Sequence, residues 1–272
     1  MNSYVKSNFH THSVFCDGKD TPEEMVQKAL SLGFRALGFS GHSYPDFDPC
    51  GMTPESEDNY RAEIARLKAV YAGEIEIYCG VEQDYFSGRR AEGYDYAIGS
   101  VHYIQKDGET LCVDWSGKRT EDILRRCYGG DPYAFAEDYF ALVGRVRDVT
   151  GCDVIGHFDL IKKFDEDGTV FDESHPRYRA AVMGALDTLC PSRPIFEINT
   201  GAMAGGYRKT PYPSLWILKE LRARGCPIMI NTDCHNREKL DFGVETARET
   251  ARAAGYRGRM VLRGGTWEEV GL

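Results

Sequence analysis

None of the nine cysteines in this 272-residue chain forms a C-x-x-C pair, a scatter that fits neither a thiolate zinc site nor a dense disulfide framework. Cys16, Cys50, Cys79, Cys112, Cys127, Cys152, Cys190, Cys226 and Cys234 therefore read as reduced thiols, mostly buried. Positive charge is in deficit: 33 basic residues face 42 acidic ones, and the net charge of -9 repels nucleic acid and anionic membrane. Met1 to Phe9 lack the basic stretch and apolar run of a signal peptide, and no apolar run elsewhere approaches the length of a membrane span. The expected location is the cytoplasm, with neither membrane nor nucleic acid as partner. Repeats, low-complexity tracts and interdomain linkers are also missing, so residues 1–272 are read as one domain.

What is present is an alternation of short apolar, β-branched runs with amphipathic charged segments, the pattern of βα units around a parallel sheet. Seven strands are predicted, at Val5 to Phe9, Ala36 to Ser40, Ile75 to Val81, Tyr96 to Val101, Asp153 to Gly156, Ile195 to Ile198 and Ile228 to Thr232, with Met260 to Leu262 a weak eighth. Thr21-Pro22-Glu23-Glu24 carries a capping box and a proline suited to the first helical position, and Gly33 stops the helix that follows. Further helices are predicted at Glu57 to Tyr71, Pro132 to Thr150, Tyr178 to Leu189, Pro213 to Arg224 and Val244 to Ala254. Gln105 to Asp131, polar and containing glycine, reads as a long loop over one barrel face.

Histidine is scarce, yet six of the seven histidines fall at predicted strand ends, the face on which barrels build active sites. His10 and His12 close the first strand two residues apart, so both imidazoles point to one side. Asp17 follows in the adjoining loop. Later strands deliver His42, Glu82, His102, His157 and the pair Asp233 and His235. Packing histidines would scatter, whereas six nitrogens and three carboxylates gathered at one face suit Zn, Mn or Fe. At roughly three to four protein ligands per catalytic ion, the nine donors suffice for two or three divalent metal ions. His175 falls outside the pattern and reads as a surface residue, and Cys234 points to the far side of its strand. Arg208, after the sixth strand, offers a fork for a phosphate dianion, and Lys162-Lys163 offers a second cationic element.

The stretches Phe9-His10-Thr11-His12-Ser13, Asp17-Gly18, Gly41-His42, Gly80-Val81-Glu82, Gly99-Ser100-Val101-His102, Gly156 to Phe164, Glu197 to Thr200 and Thr232 to His235, in this order, resemble the polymerase-and-histidinol-phosphatase (PHP) superfamily, and within it the histidinol-phosphatases. The resemblance implies an α/β fold, a distorted seven-stranded β/α barrel, with a trinuclear metal centre. By that likeness one ion takes His10, His12, Glu82 and Asp233; a second shares Glu82 and takes His102 and His157; a third takes Asp17, His42 and His235. The implied activity is hydrolysis of a small phosphate monoester, L-histidinol phosphate, in histidine biosynthesis. Arg208 and Lys163 would hold the phosphate, and Asp233 or a water would protonate the leaving alkoxide. Alternatives are a phosphotyrosine or nucleotide phosphoesterase of the same superfamily, an amidohydrolase-type C–N hydrolase, and a metal-binding regulator without catalysis. The acidic charge disfavours nucleic acid, and no predicted strand ends in the lysine common in amidohydrolases.

Overall fold

A computed structural model describes residues 5–272; Met1–Tyr4, the start of the stretch inspected for a leader, lie outside the described residues. The chain runs through β1 (Ser7–Asn8), α1 (Pro22–Ser31), β2 (Ala36–Phe39), α2 (Pro54–Val70), β3 (Glu76–Asp84) and β4 (Tyr96–Ser100), then a hairpin of β5 (Tyr103–Lys106) and β6 (Glu109–Cys112). There follow α3 (Gly117–Cys127), α4 (Pro132–Val143), α5 (Val146–Thr150), β7 (Val154–Ile155), α6 (Pro176–Leu189), β8 (Ile195–Asn199), α7 (Gly201–Ala204), α8 (Leu215–Ala223), β9 (Ile228–Asn231) and α9 (Val244–Ala253). The chain closes with a hairpin of β10 (Gly258–Arg263) and β11 (Thr266–Gly271).

Seven strands form one parallel sheet in the order β1-β2-β3-β4-β7-β8-β9. A bridge between Thr11 and Cys234, with His12 N donating to Cys234 O at 2.8 Å and Cys234 N to His10 O at 3.0 Å, joins the first and last strands past their carboxyl ends. The sheet is thus a nearly closed barrel, as expected. Alternation along each strand divides the core in two. Ile195 and Met229 face an inner cluster with Phe9, Tyr96 and Val154, whereas Phe196, Ile198, Ile228 and Ile230 face the helices. Tyr96 fills the barrel axis: its hydroxyl lies 2.5 Å from Phe9 O and 2.9 Å from Phe39 O. Its ring needs glycine opposite, because a Cβ at Gly80 would lie 2.3 Å from it.

The capping box at Thr21 forms as predicted, with Thr21 N donating to Glu24 at 2.9 Å and Glu24 N to Thr21 at 3.3 Å. Other boundaries differ. The helix predicted over Pro132 to Thr150 breaks at Gly144–Arg145 into α4 and α5. The loop predicted over Gln105 to Asp131 contains most of a hairpin and a helix. Asp107 and Gly108 adopt φ 50° and 81°, the left-handed pair of a two-residue hairpin turn. Ser116 then caps α3. The weak eighth strand is real but leaves the barrel: β10 pairs antiparallel with β11, and Trp267 of β11 packs on Phe9 and Tyr96 at 6.1 and 6.2 Å, closing the end away from the site. All nine cysteines are unpaired, but only four are buried; five are partly exposed. No helix among the described residues is long and apolar enough to cross a membrane.

Candidate metal centre

Every residue singled out at a strand end converges on one pocket, buried around Glu82 and partly open at Asp17 and His235. The Oε1 of Glu82 lies 2.9 Å from His157 Nε2 and 3.2 Å from His102 Nε2, and accepts from Ser100 Oγ at 2.7 Å. Its Oε2 lies 2.9 Å from His42 Nδ1, 3.3 Å from His10 Nε2 and 3.5 Å from His12 Nε2. Asp233 Oδ1 completes that side, 3.4 Å from His10 Nε2 and 3.1 Å from His12 Nε2. Asp17 Oδ1 gathers a further set: His235 Nε2 at 3.3 Å, His42 Nε2 at 3.6 Å and His12 Nδ1 at 3.7 Å.

These spacings suit metal ions. Two ligands about 2.1 Å from a tetrahedral ion stand roughly 3.4 Å apart, and the His10–Asp233 and His10–Glu82 separations are 3.4 and 3.3 Å. His10 Nε2, His12 Nε2 and Glu82 Oε2 are buried without a hydrogen-bond partner, which is costly unless a cation satisfies them. The same demand appears in the protonation equilibria. Burial opposes charge throughout, yet Asp233, Glu197 and Glu82 hold His10 well above the usual imidazole range. His42 is raised to about 9 against its burial by Glu82 and Asp17. The facing imidazoles in turn hold Glu82 and Asp233 well below the carboxylate range despite burial. Only His12 is driven down, to about 3, by burial and by its neighbours His235 and His42. The cluster demands positive charge, and divalent ions supply it while displacing protons. The donors fall into groups able to hold several ions: His12, Asp17, His42 and His235; His10, His12 and Asp233; His10, Glu82 and His157; and His42, Glu82 and His102.

Backbone geometry explains part of the aim. Asp233 adopts φ 49°, a left-handed conformation uncommon outside glycine. Its Oδ2 accepts from Asn199 Nδ2 at 3.3 Å. His235 Nδ1 contacts Asp233 O at 3.0 Å, leaving Nε2 for Asp17.

Sequence reasoning missed the residues that orient the donors. Glu197 is fully buried; its Oε1 accepts from His10 Nδ1 at 2.7 Å and Asn231 Nδ2 at 3.0 Å, and its Oε2 from His157 N and Asn199 Nδ2, both at 2.9 Å. The His10 proton is thereby held on Nδ1, leaving Nε2 to face the pocket. Asp84 plays the same part for His102, accepting from its backbone N at 3.0 Å and contacting its Nδ1 at 3.2 Å. The missed signal was parity: Glu197 shares a strand face with Ile195 and Asn199, and Asp84 with Glu82.

The pocket is the floor of a cleft of about 360 Å³. Its walls include Asp48 and Cys50 from the loop before α2, Tyr103 and Cys112 of the β5–β6 hairpin, Asp114 and Trp115 just after it, and Lys163, Tyr207 and Tyr212. Lys163 Nζ donates to Asp114 Oδ2 at 2.9 Å. Lys162 turns away and pairs with Glu173. Arg208 departs from the expected position and does not line the cleft. Its guanidinium is buried behind Tyr212, 5.1 Å from that ring, and donates to Lys162 O at 3.0 Å and Thr210 Oγ1 at 3.2 Å. The arginine thus ties the Lys162–Lys163 turn to the segment carrying Tyr207 and Tyr212. His175 stands apart, accepting from Arg177 N at 3.3 Å as the cap of α6 and stacking on Tyr133 at 3.7 Å.

Fold and donor set together define a β/α-barrel protein with a polynuclear metal pocket. The PHP domain family model matches residues 8–201, and the chain belongs to that family. It is 25% identical over 268 residues to the histidinol-phosphatase of Bacillus subtilis, covering 90% of this chain and 98% of that one. It is 29% identical over 266 residues to a protein of Deinococcus radiodurans named probable histidinol-phosphatase, covering 91% and 93%. The histidinol phosphate phosphatase of Lactococcus lactis, solved with zinc, L-histidinol and phosphate, superposes with a TM-score of 0.73 at 21% identity, over 98% of this chain and all of that one.

Proposed function

We propose that this protein is a metal-dependent phosphoric monoester hydrolase that converts L-histidinol phosphate to L-histidinol and phosphate, a step of histidine biosynthesis, and that the whole chain acts as one catalytic unit. The observation that carries the reading is a nine-donor pocket at the floor of a single cleft whose wall presents Lys163. The likeness of nearly the whole chain to proteins bearing the histidinol-phosphatase name supports the choice of substrate.

In this reading His10, His12, Glu82 and Asp233 hold one ion, Glu82, His102 and His157 a second, and Asp17, His42 and His235 a third, with zinc, manganese or iron as the metals. Bound there, such ions acidify water and neutralise the phosphoryl oxygens. Lys163 binds a non-bridging oxygen of the ester. Arg208 serves the same anion site through Lys162 O, by holding the turn that carries Lys163. A proton leaves the attacking water as the new P–O bond forms, and Asp233 or a water delivers a proton to the alkoxide as the ester P–O bond breaks.

The test is phosphate release by the manganese- or zinc-loaded protein from L-histidinol phosphate beside 4-nitrophenyl phosphate, a phosphotyrosyl peptide and a short single-stranded oligonucleotide. The expected kcat/KM for L-histidinol phosphate exceeds the others by about 10³ or more, within the usual enzyme range. Turnover of another ester with none on L-histidinol phosphate discards the substrate and keeps the phosphoesterase.

A further inference from the structure

We propose that Asp114 recognises an ammonium group on the substrate, so that the cleft selects phosphate esters carrying a cation two carbons from the ester oxygen. Among the described residues lining the cleft, Lys163 is the one lysine or arginine, and in the free protein it is engaged by Asp114 at 2.9 Å. Among the described residues, the other oxygen of Asp114 accepts only the weak Cys112 thiol, at 3.3 Å. Both partners of the pair are largely shielded, with side chains 23% and 20% exposed. The inference rests on the reading above that Lys163 takes the phosphate.

A phosphate dianion that draws Lys163 to itself strips Asp114 of its counter-ion. A carboxylate this shielded is costly to leave unpaired. An ester without a cation therefore loses at Asp114 part of what it gains at Lys163. An ester whose ammonium stands two carbons from the ester oxygen repairs the loss, because the 2.9 Å spacing of Lys163 and Asp114 lets phosphate and ammonium be held side by side. One internal ion pair is exchanged for two with the substrate. The other wall carboxylate, Asp48, is already used by Cys50 N at 2.8 Å, so Asp114 is the better receptor. L-Histidinol phosphate has this chemistry: its ammonium sits on the carbon next to the one that bears the ester oxygen.

The experiment compares 2-aminoethyl phosphate with ethyl phosphate, as substrates and as competitive inhibitors, on the metal-loaded wild type and on Asp114→Asn. The wild type is expected to favour the ammonium ester by about 10- to 100-fold, the scale of a charged hydrogen bond, and Asp114→Asn to bring that ratio close to one. Equal treatment of the two esters by the wild type overturns the proposal without any variant. A ratio that survives in a folded, metal-replete Asp114→Asn protein overturns it as well. A wild-type preference for 2-aminoethyl phosphate with no turnover of L-histidinol phosphate would sink the substrate named above and leave the role of Asp114 standing.

Discussion

Glu197→Gln isolates the contribution of a residue that binds nothing in the cleft. The carboxylate accepts four hydrogen bonds, two at each oxygen, from His10, Asn231, His157 and Asn199. A glutamine keeps the shape, but whichever way its amide turns, an NH₂ meets two donors. Two donors then lose their acceptor at about 1–3 kcal/mol each, or about 2–6 kcal/mol in all, before relaxation. On the His10–His157 side of the pocket the lost anion also frees the His10 ring to rotate and makes its Nε2 a poorer donor. Loss of such an orienting partner typically costs about 10- to 100-fold in metal affinity. Competition with a chromophoric chelator measures the affinity, and urea unfolding of the metal-free protein measures the stability. Both should fall. Metal affinity within twofold of wild type, in a protein whose unfolding midpoint is also unchanged, would refute the reasoning from the four hydrogen bonds.

Glu82→Gln should lower metal per chain and abolish turnover, since both oxygens face imidazoles; full activity at normal metal content, read by elemental analysis, removes its central role. Arg208→Ala should raise KM for a phosphoester by about tenfold, on the scale of one charged hydrogen bond, while metal content holds, because the Lys162–Lys163 turn loses its tie; unchanged kinetics takes Arg208 out of the anion site. His175→Ala should leave kcat and KM alone and cost about 0.5–2 kcal/mol of stability, the usual effect of removing a helix cap; a large loss of activity would show that the discarded histidine matters.

The barrel and its donor set were readable because each rests on local periodicity. A parallel strand buried on both faces is a short apolar run, and a histidine at its end stands out in a chain with only seven. Glu197 and Asp84 were hidden by the same rule, for a carboxylate inside a buried strand shows its purpose only when its neighbours on that face are known. The β5–β6 hairpin was obscured by Asp107-Gly108, a turn whose polar, glycine-containing flanks read as loop. The break after Val143 depends on packing around Gly144, where a Cβ would lie 3.2 Å from Ala185 Cα. Arg208 follows Gly205 and Gly206, the latter at φ 77°. After such a turn the direction of a side chain no longer follows from its place in the sequence.

The β10–β11 hairpin beneath the barrel bears on the order in which products depart. With Trp267 packed on Phe9 and Tyr96 at that end, traffic is confined to the cleft mouth. In the proposed reaction the phosphate lies on the floor against the metal donors and the alcohol fills the space above it. The alcohol then leaves first and phosphate last, so phosphate returns to the same form of the protein that the ester binds. Inhibition by phosphate should accordingly be competitive with the ester, and inhibition by the free alcohol, which meets a floor still holding phosphate, should be noncompetitive.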